Sequence, residues 1–134
     1  MANLVWSEKL SVGMNDIDAQ HKHFIDIINK TNDAVDTGAP RGAQKKVLDD
    51  LIGYGRYHFE TEEMYFVKFK YPHAREHMAE HAKLLEKVIL FYNRFESGEN
   101  VASELLSFLK SWLTDHLQKH DMKYSEYFKK KGYI

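Results

Sequence analysis

The chain has 134 residues, of which 43% are hydrophobic and 29% charged, so it holds enough apolar material for the core of one domain and no room for a second. Its 19 Lys and Arg side chains are balanced by 20 Asp and Glu side chains, which disfavours binding to nucleic acid or to anionic membranes. The lack of cysteine excludes disulfides and thiolate ligands, whereas histidine occurs 8 times. We expect a single domain over residues 1–134 in which the histidines have a common purpose.

Residues 1–15 form a predicted N-terminal arm ahead of the first periodic segment. They carry no basic stretch followed by an apolar one, so they do not read as a secretory signal, and we expect a cytoplasmic location. No apolar run in the sequence is long enough to span a bilayer. Trp6 and Val12 are expected to pack across one end of the folded domain.

Four segments repeat apolar residues at spacings of three and four, which predicts amphipathic helices over 17–37, 42–68, 72–97 and 101–119. Glycine and proline cluster between these segments, and Pro72 stands at the predicted first position of the third helix. A short helical tail over 121–134 follows the fourth helix. Because the connecting loops are short, we predict an all-α fold, an antiparallel up-down-up-down four-helix bundle.

Six polar residues occupy positions on the apolar stripes, where a side chain should face the core: His21, His58, Glu62, His77, His81 and His116. One buried histidine is commonly satisfied by a backbone carbonyl. Six unrelated buried polar groups would each cost about 1–3 kcal/mol if unsatisfied, against a total stability of about 5–15 kcal/mol. A shared metal centre satisfies all of them, so the pattern predicts a metal site.

The spacing of these residues brings them to one end of the bundle. His58 and Glu62, like His77 and His81, are four residues apart, so both members of each pair lie on one helix face. Ligands early in the first and third helices meet ligands late in the second and fourth, since neighbouring helices are antiparallel. Imidazole and carboxylate donors suit Fe, Zn, Cu or Mn, and their number exceeds the needs of one tetrahedral zinc. Two metal ions are therefore expected.

The motifs around these positions resemble those of the hemerythrin family, in particular its stand-alone bacterial members. The matching runs are Ile17-Asp18-Ala19-Gln20-His21, His58-Phe59-Glu60-Thr61-Glu62-Glu63, His77-Met78-Ala79-Glu80-His81 and Trp112-Leu113-Thr114-Asp115-His116, with Asp121 five residues further on. The resemblance implies two non-haem iron ions per chain. It implies that one iron is bound by His77, His81 and His116, and the other by His21 and His58. Glu62, Asp121 and an oxo or hydroxo group would bridge the two ions.

The same resemblance implies reversible binding of dioxygen. With these ligands, one position of two octahedral irons is left open, on the iron that has only two histidines. We expect apolar walls for this oxygen pocket from side chains within one helical turn of a ligand: Phe59, Trp112, Leu113 and Leu117. Oxygen-activating di-iron bundles use a carboxylate-rich set with Glu-x-x-His motifs, so the histidine-rich set favours a carrier over an enzyme. The predicted function is oxygen storage, transport or delivery to oxygen-requiring enzymes.

Periodicity alone leaves the last ligand open. Five residues correspond to about 140° around an ideal α-helix, so His116 and Asp121 share a face only if the helix ends or bulges. His120, four residues from His116, fits the stripe better, whereas the family resemblance selects Asp121. His23 and His73 lie off the stripes and are not expected to be ligands.

Other functions are compatible with parts of the pattern. The same centre can serve an oxygen or redox sensor that acts through a partner, or a di-iron oxidase or peroxidase. His77-x-x-Glu80-His81 also matches the inverted zinc-protease pattern, a weak signal, because any helix with histidines four residues apart and a glutamate between them can match. Such a hydrolase would leave His21, His58 and His116 unexplained. A monomer is favoured.

Overall fold

The computed structural model describes residues 3–134, and all regular secondary structure in that range is helical. The α-helices are α1 Asn15–Thr37, α2 Arg41–Lys68, α3 Ala74–Glu96, α4 Ala102–His116 and α5 Met122–Lys130. α1 packs against α2 and α4, and α2 packs against α3. The predicted all-α four-helix bundle is confirmed, and α5 forms the predicted short helical tail.

Two helix ends differ from the sequence expectation for identifiable reasons. α3 begins at Ala74, not at Pro72, because the preceding residues form a turn in which the Ala74 N–H donates to the carbonyl of Tyr71 at 3.2 Å. α4 ends at His116, short of the expected residue 119, because the chain widens into a π-helical turn, Leu117–Asp121, before α5. α1 ends at Thr37 and is capped by Gly38, whose left-handed backbone (φ 63°) suits glycine at this position.

The N-terminal arm is fastened along the bundle by polar contacts. The backbone of Leu4 exchanges two hydrogen bonds with the side chain of Asn29, at 2.9 and 3.0 Å. Further along, the carboxylate of Asp18 accepts hydrogen bonds from the Ser11 hydroxyl and from the Val12 N–H. Val12 is fully buried in the cluster at the end of the bundle, whereas Trp6 is partly buried and packs against the larger interior cluster. Of the two arm residues expected at the bundle end, only Val12 lies in the cluster there.

The apolar core consists of two clusters. The larger one fills the bundle interior and has members from α1, α2, α3 and α4. The smaller one closes the end of the bundle, where α5 and the arm pack on α1 and α2, and comprises Val12, Met14, Ile17, Phe66, Tyr71, Tyr124 and Phe128. Within residues 3–134, no helix combines the length and the apolarity that a bilayer crossing requires.

Candidate metal centre

Seven buried side chains meet between the two apolar clusters. They are His21 from α1, His58 and Glu62 from α2, His77 and His81 from α3, His116 from α4, and Asp121 from the π-helical turn. None of these seven is more than 4% exposed. They are the residues predicted as metal ligands, and the structure brings all of them together.

The carboxylate of Asp121 reaches histidines on both sides of the cluster. Its Oδ1 lies 3.1 Å from Nε2 of His77 and 3.0 Å from Nε2 of His116. Its Oδ2 lies 3.1 Å from Nε2 of His21. Asp121 therefore spans the gap between a three-histidine group, made of His77, His81 and His116, and a two-histidine group, made of His21 and His58.

Glu62 also faces both groups. Its Oε1 lies 3.0 Å from Nε2 of His81 and 3.7 Å from Nε2 of His77 in the three-histidine group. The same oxygen lies 3.3 Å from Nε2 of His58 in the two-histidine group. All five imidazoles thus present Nε2 to one of the two carboxylates.

Hydrogen bonds do not account for this packing. Within the described part of the chain, several of the facing atoms are buried without a hydrogen-bond partner: Oε1 of Glu62, Nε2 of His77, His81 and His116, and both carboxylate oxygens of Asp121. Each such atom costs about 1–3 kcal/mol, and native proteins contain few of them. The donors form two sets of four in which all ligand atoms lie within 4.8 Å of one another: Glu62, His77, His81 and His116, and His21, His58, Glu62 and Asp121. Coordination to metal satisfies these atoms, so the residues fit a metal centre.

Both carboxylates are held in the ionised form that a metal ligand requires. Burial acts to raise the pKa of Glu62, but the charges and contacts of His58, His77 and His81 hold this pKa well below its ordinary value. Burial and the charge of Glu62 act to raise the pKa of Asp121, and the neighbouring His116 and His21 overcome both effects and lower it. The centre therefore carries two negative charges that are available to a cation.

The histidines of the three-histidine group differ in protonation when no metal is bound. Burial acts to lower the pKa of His77, but the adjacent carboxylates of Asp121 and Glu62 raise it to about 9. Burial lowers the pKa of His81 to about 4. The charges of His77 and His116 also lower this pKa, whereas Glu62 acts to raise it. A metal ion that enters the centre at neutral pH must therefore displace a proton from His77.

The π-helical turn explains how Asp121 joins His116. The N–H of Met122 donates to the carbonyl of Leu117, five residues earlier, so this turn is one residue wider than an α-helical turn. Residues five apart then share a face, which aligns Asp121 with His116. His120, the alternative that α-helical periodicity favours, lies outside both donor sets and lines a surface groove.

A second layer of polar contacts supports the predicted ligands. Nδ1 of His58 lies 2.6 Å from Oε1 of Gln20, so His58 donates from Nδ1 and keeps Nε2 free for the centre. The hydroxyl of Tyr124 donates to Oε2 of Glu62 at 2.5 Å. Nδ1 of His81 lies 3.6 Å from Oε1 of Glu63. Gln20 was overlooked in the sequence, although its place between Ile17 and Phe24 on the α1 stripe marks it as a buried polar residue.

The two aromatic side chains predicted for the oxygen pocket lie against the three-histidine group. Phe59 stacks on His81 with ring centroids 3.8 Å apart, and Trp112 stacks on His116 at 4.3 Å. Leu113 and Leu117 are 4% and 1% exposed and belong to the larger apolar cluster.

Phe24 is a further buried aromatic residue beside a predicted pocket residue. Phe24, 2% exposed, lies one helical turn beyond His21, and its ring centroid is 6.2 Å from that of Trp112. Phe24 is absent from the predicted pocket residues because its position on the α1 stripe indicates only a core side chain. Phe24 therefore extends the aromatic group formed by the predicted residues Phe59 and Trp112.

The remaining site candidates lie outside the centre. His23 and His73 are exposed, and the ring of His23 packs on Tyr54 at 4.2 Å. Glu80 belongs to neither donor set, and its carboxylate lies 3.4 Å from the ammonium of Lys83. The residue that the zinc-protease pattern would use as a base therefore contacts a lysine and is not grouped with the metal-binding donors.

A helical bundle with buried sets of histidine and carboxylate donors at one end defines a metal-binding bundle protein. Residues 12–128 match the family model described as the Hemerythrin HHE cation binding domain. The chain is 33% identical over 129 residues to a bacteriohemerythrin of Stenotrophomonas maltophilia, covering 96% of this chain and 84% of the relative. It is 35% identical over 124 residues to a bacteriohemerythrin of Pseudomonas aeruginosa, covering 92% and 80%.

The fold agrees with these similarities. A crystal structure of wild-type hemerythrin superposes with a TM-score of 0.87 at 32% identity, covering 93% of this chain and 97% of the hemerythrin. The chain belongs to the hemerythrin family. The resemblance inferred from the sequence motifs is confirmed.

Proposed function

We propose that this protein binds dioxygen reversibly at a non-haem di-iron centre. The observation that carries the proposal is the pair of buried four-donor sets that share Glu62 and are spanned by Asp121. Two sets with a common carboxylate suit two adjacent metal ions better than one. Family membership supports iron as the metal, and imidazole with carboxylate is a suitable ligand set for it.

Each ligand group has a distinct task in this proposal. The three-histidine group would hold one iron, the two-histidine group would hold the other, and Glu62 and Asp121 would lie between them. Because the two-histidine group supplies fewer protein ligands, its iron would be the one that binds oxygen. The iron pair, when bound, supplies the two electrons that reversible oxygen binding uses.

The protein side chains keep this centre dry and rigid. All seven ligand residues are nearly inaccessible to solvent, and stacked rings cover the imidazoles of His81 and His116. Gln20 fixes the ring of His58, and Tyr124 fixes the carboxylate of Glu62. A buried, oriented ligand set of this kind limits the entry of water.

The composition of the ligand set favours a carrier over an enzyme. Ferritin-like di-iron bundles use a Glu from each of two helices and a Glu-x-x-His pair from each of two others. Here two carboxylates face five imidazoles, so the ligands add less negative charge and stabilise high-valent iron less. Glu80, the base of the alternative hydrolase, contacts Lys83 and not the centre.

The physiological role that we propose is oxygen storage, transport or delivery to an oxygen-using enzyme. Delivery needs contact with that enzyme, and a sensor would need a partner that reads the state of the centre. Whether the protein delivers oxygen or acts as a sensor, we propose that it is a cytoplasmic monomer.

Reversible oxygen uptake tests the proposal. The metal-free protein is loaded anaerobically with two equivalents of ferrous iron, exposed to air and then deoxygenated, while its visible spectrum and iron content are recorded. We expect two irons per chain and a visible absorption band that appears with oxygen and disappears without it. His58→Ala should lose the band, whereas His23→Ala, which changes an exposed histidine of α1, should keep it. Two bound irons without a reversible band would overturn the proposal.

A further inference from the structure

A basic surface lies at the end of the bundle that carries the centre. Five exposed lysines surround it: Lys68 and Lys70 at the end of α2, and Lys129, Lys130 and Lys131 at the end of α5. α5 contains one acidic residue, Glu126, and Asp16 at the start of α1 accepts a hydrogen bond from Tyr65. The whole chain has a net charge of -1, so the rest of the chain is negatively charged when these five lysines are left out.

Stabilisation of the helix ends does not explain the whole cluster. Cations in the last turn of a helix interact favourably with its dipole, which accounts for Lys68, Lys129 and Lys130. Lys70 and Lys131 lie beyond the helices. Together the five residues form what we call the basic end.

One exposed and two partly buried aromatic rings lie among these lysines. The ammonium of Lys68 is 5.5 Å from the ring centre of Phe69, and that of Lys131 is 5.7 Å from the ring centre of Tyr127. After α5 the chain turns back at Gly132 (φ 74°), so that Tyr133 stacks on Phe69 with ring centroids 4.8 Å apart. Tyr133 remains 45% exposed. An apolar centre with a charged rim is the usual anatomy of a protein docking surface.

A series of ring contacts leads from this surface to the centre. Tyr133 stacks on Phe69, and the ring centroid of Phe69 lies 4.9 Å from that of Phe128. The ring centroid of Phe128 lies 5.4 Å from that of Tyr124. Phe128 and Tyr124 are 0% and 1% exposed. The hydroxyl of Tyr124 then donates to Glu62. Conjugated rings in van der Waals contact thus connect the exposed Tyr133 to a carboxylate of the candidate metal centre.

We propose that the basic end is the docking surface for an acidic one-electron carrier protein, from which electrons reach the metal centre through Tyr133, Phe69, Phe128 and Tyr124. This inference rests on the proposed function, because oxygen binding requires the reduced iron pair and the ligands are too buried for direct contact with a partner. The oxidised and the reduced iron pair differ by two electrons, so a one-electron carrier would have to dock twice to reduce an oxidised pair.

Charge complementarity selects this partner. Lysines around an apolar patch attract an acidic protein and raise its association rate, and redox partners use small interfaces of this kind. Five lysines would also attract an anionic membrane, but membrane binding would not explain why the ring series ends at a predicted metal-binding carboxylate. We therefore propose the electron carrier, and the experiments below include membrane binding as a result that would contradict it.

The test compares charge reversal at the two ends of the bundle. One variant combines Lys129→Glu, Lys130→Glu and Lys131→Glu, and its control combines Lys30→Glu, Lys45→Glu and Lys46→Glu, which are exposed and change the net charge equally. The oxidised iron-loaded protein is mixed anaerobically with a reduced acidic [2Fe–2S] ferredoxin. We expect the rate constant at low salt to fall at least about tenfold in the first variant and less than about twofold in the control, with the difference lost at high salt. Equal rates in both variants would overturn the proposal.

Two further measurements examine the surface and the route. Carbodiimide cross-linking of the wild-type protein to oxidised ferredoxin should link its carboxylates to the lysines of the basic end, and links spread over all lysines would contradict the docking site. Tyr133→Leu should keep the cross-links and slow reduction at saturating ferredoxin several-fold. An unchanged rate would refute the ring route. If the protein binds phosphatidylserine vesicles and does not bind ferredoxin, the basic end binds a membrane and the proposed electron carrier is wrong.

The outcome is separable from that of the proposed function. Reduction by dithionite followed by air exposure shows whether each variant still binds oxygen. If the wild-type centre shows no reversible oxygen band, the proposed function fails, whereas the cross-linking pattern still decides the docking site.

Discussion

Removal of the Tyr124 hydroxyl tests how much its hydrogen bond to Glu62 stabilises the metal-free protein. In Tyr124→Phe the ring contacts with Phe66 and Phe128 are kept, and the hydrogen bond of 2.5 Å to Glu62 is lost. A hydrogen bond to a charged group contributes about 1.5–3 kcal/mol, and its loss leaves Oε2 of Glu62 buried without a donor. For a chain of this length the unfolding entropy is about 0.28 kcal/mol per kelvin, so the Tm of the metal-free protein should fall by about 5–10 °C.

The assay is thermal unfolding of the metal-free protein, followed by circular dichroism. Metal-free protein is used because bound metal would neutralise Glu62 and mask the loss. Tyr57→Phe is the matched control, since Tyr57 is 57% exposed and surface changes stay within about 0.5 kcal/mol. A Tm of Tyr124→Phe that equals that of the control would refute the reasoning.

Three further predictions concern the metal centre. Asp121→Ala should reduce the bound iron, whereas His120→Ala should leave two irons per chain; iron loss in the second variant, measured by elemental analysis, would show that the ligand is misassigned. Gln20→Leu removes the acceptor that orients His58 and should weaken metal binding about 10–100-fold in a chelator competition, and an unchanged affinity would mean that the contact does not orient the ring. Because the pKa of His77 is raised to about 9 without metal, iron must displace a proton below that pH. Iron affinity should therefore fall as the pH falls from about 9, by up to about tenfold per pH unit for this proton, and a pH-independent affinity would contradict the ligand set.

Much of the centre could be predicted because helix periodicity is regular. Residues four apart in an α-helix share a face, so the His58/Glu62 and His77/His81 pairs could be placed from the sequence alone. Alternating early and late positions in antiparallel helices then put the ligands of different helices at one level. The structure shows the same convergence at one end of the bundle.

Asp121 shows where this reasoning stops. Its five-residue spacing from His116 conflicts with α-helical periodicity, and only a π-helical turn resolves the conflict. Such a turn is a local departure from the α-helical pattern that tertiary contacts stabilise, so the spacing alone favoured His120. The family resemblance selected Asp121 on motif grounds.

The surroundings of the ligands were less predictable than the ligands. Side-chain contacts between distant parts of the chain, such as Gln20 with His58, depend on the packing of α1 against α2 and leave only a buried polar residue as a signal. The stacking of Phe59 and Trp112 on the three-histidine group likewise depends on how the helices are rotated. Proximity in sequence to a ligand could not tell which group each ring would cover.

The central claim is that the seven residues hold two irons that share Glu62 and Asp121. Anomalous diffraction at the iron absorption edge, on crystals of the iron-loaded protein, tests it most directly. We expect two peaks about 3.5–4 Å apart, one beside His77, His81 and His116 and the other beside His21 and His58, with both carboxylates between them. A single peak, or a second peak away from Asp121, would contradict it.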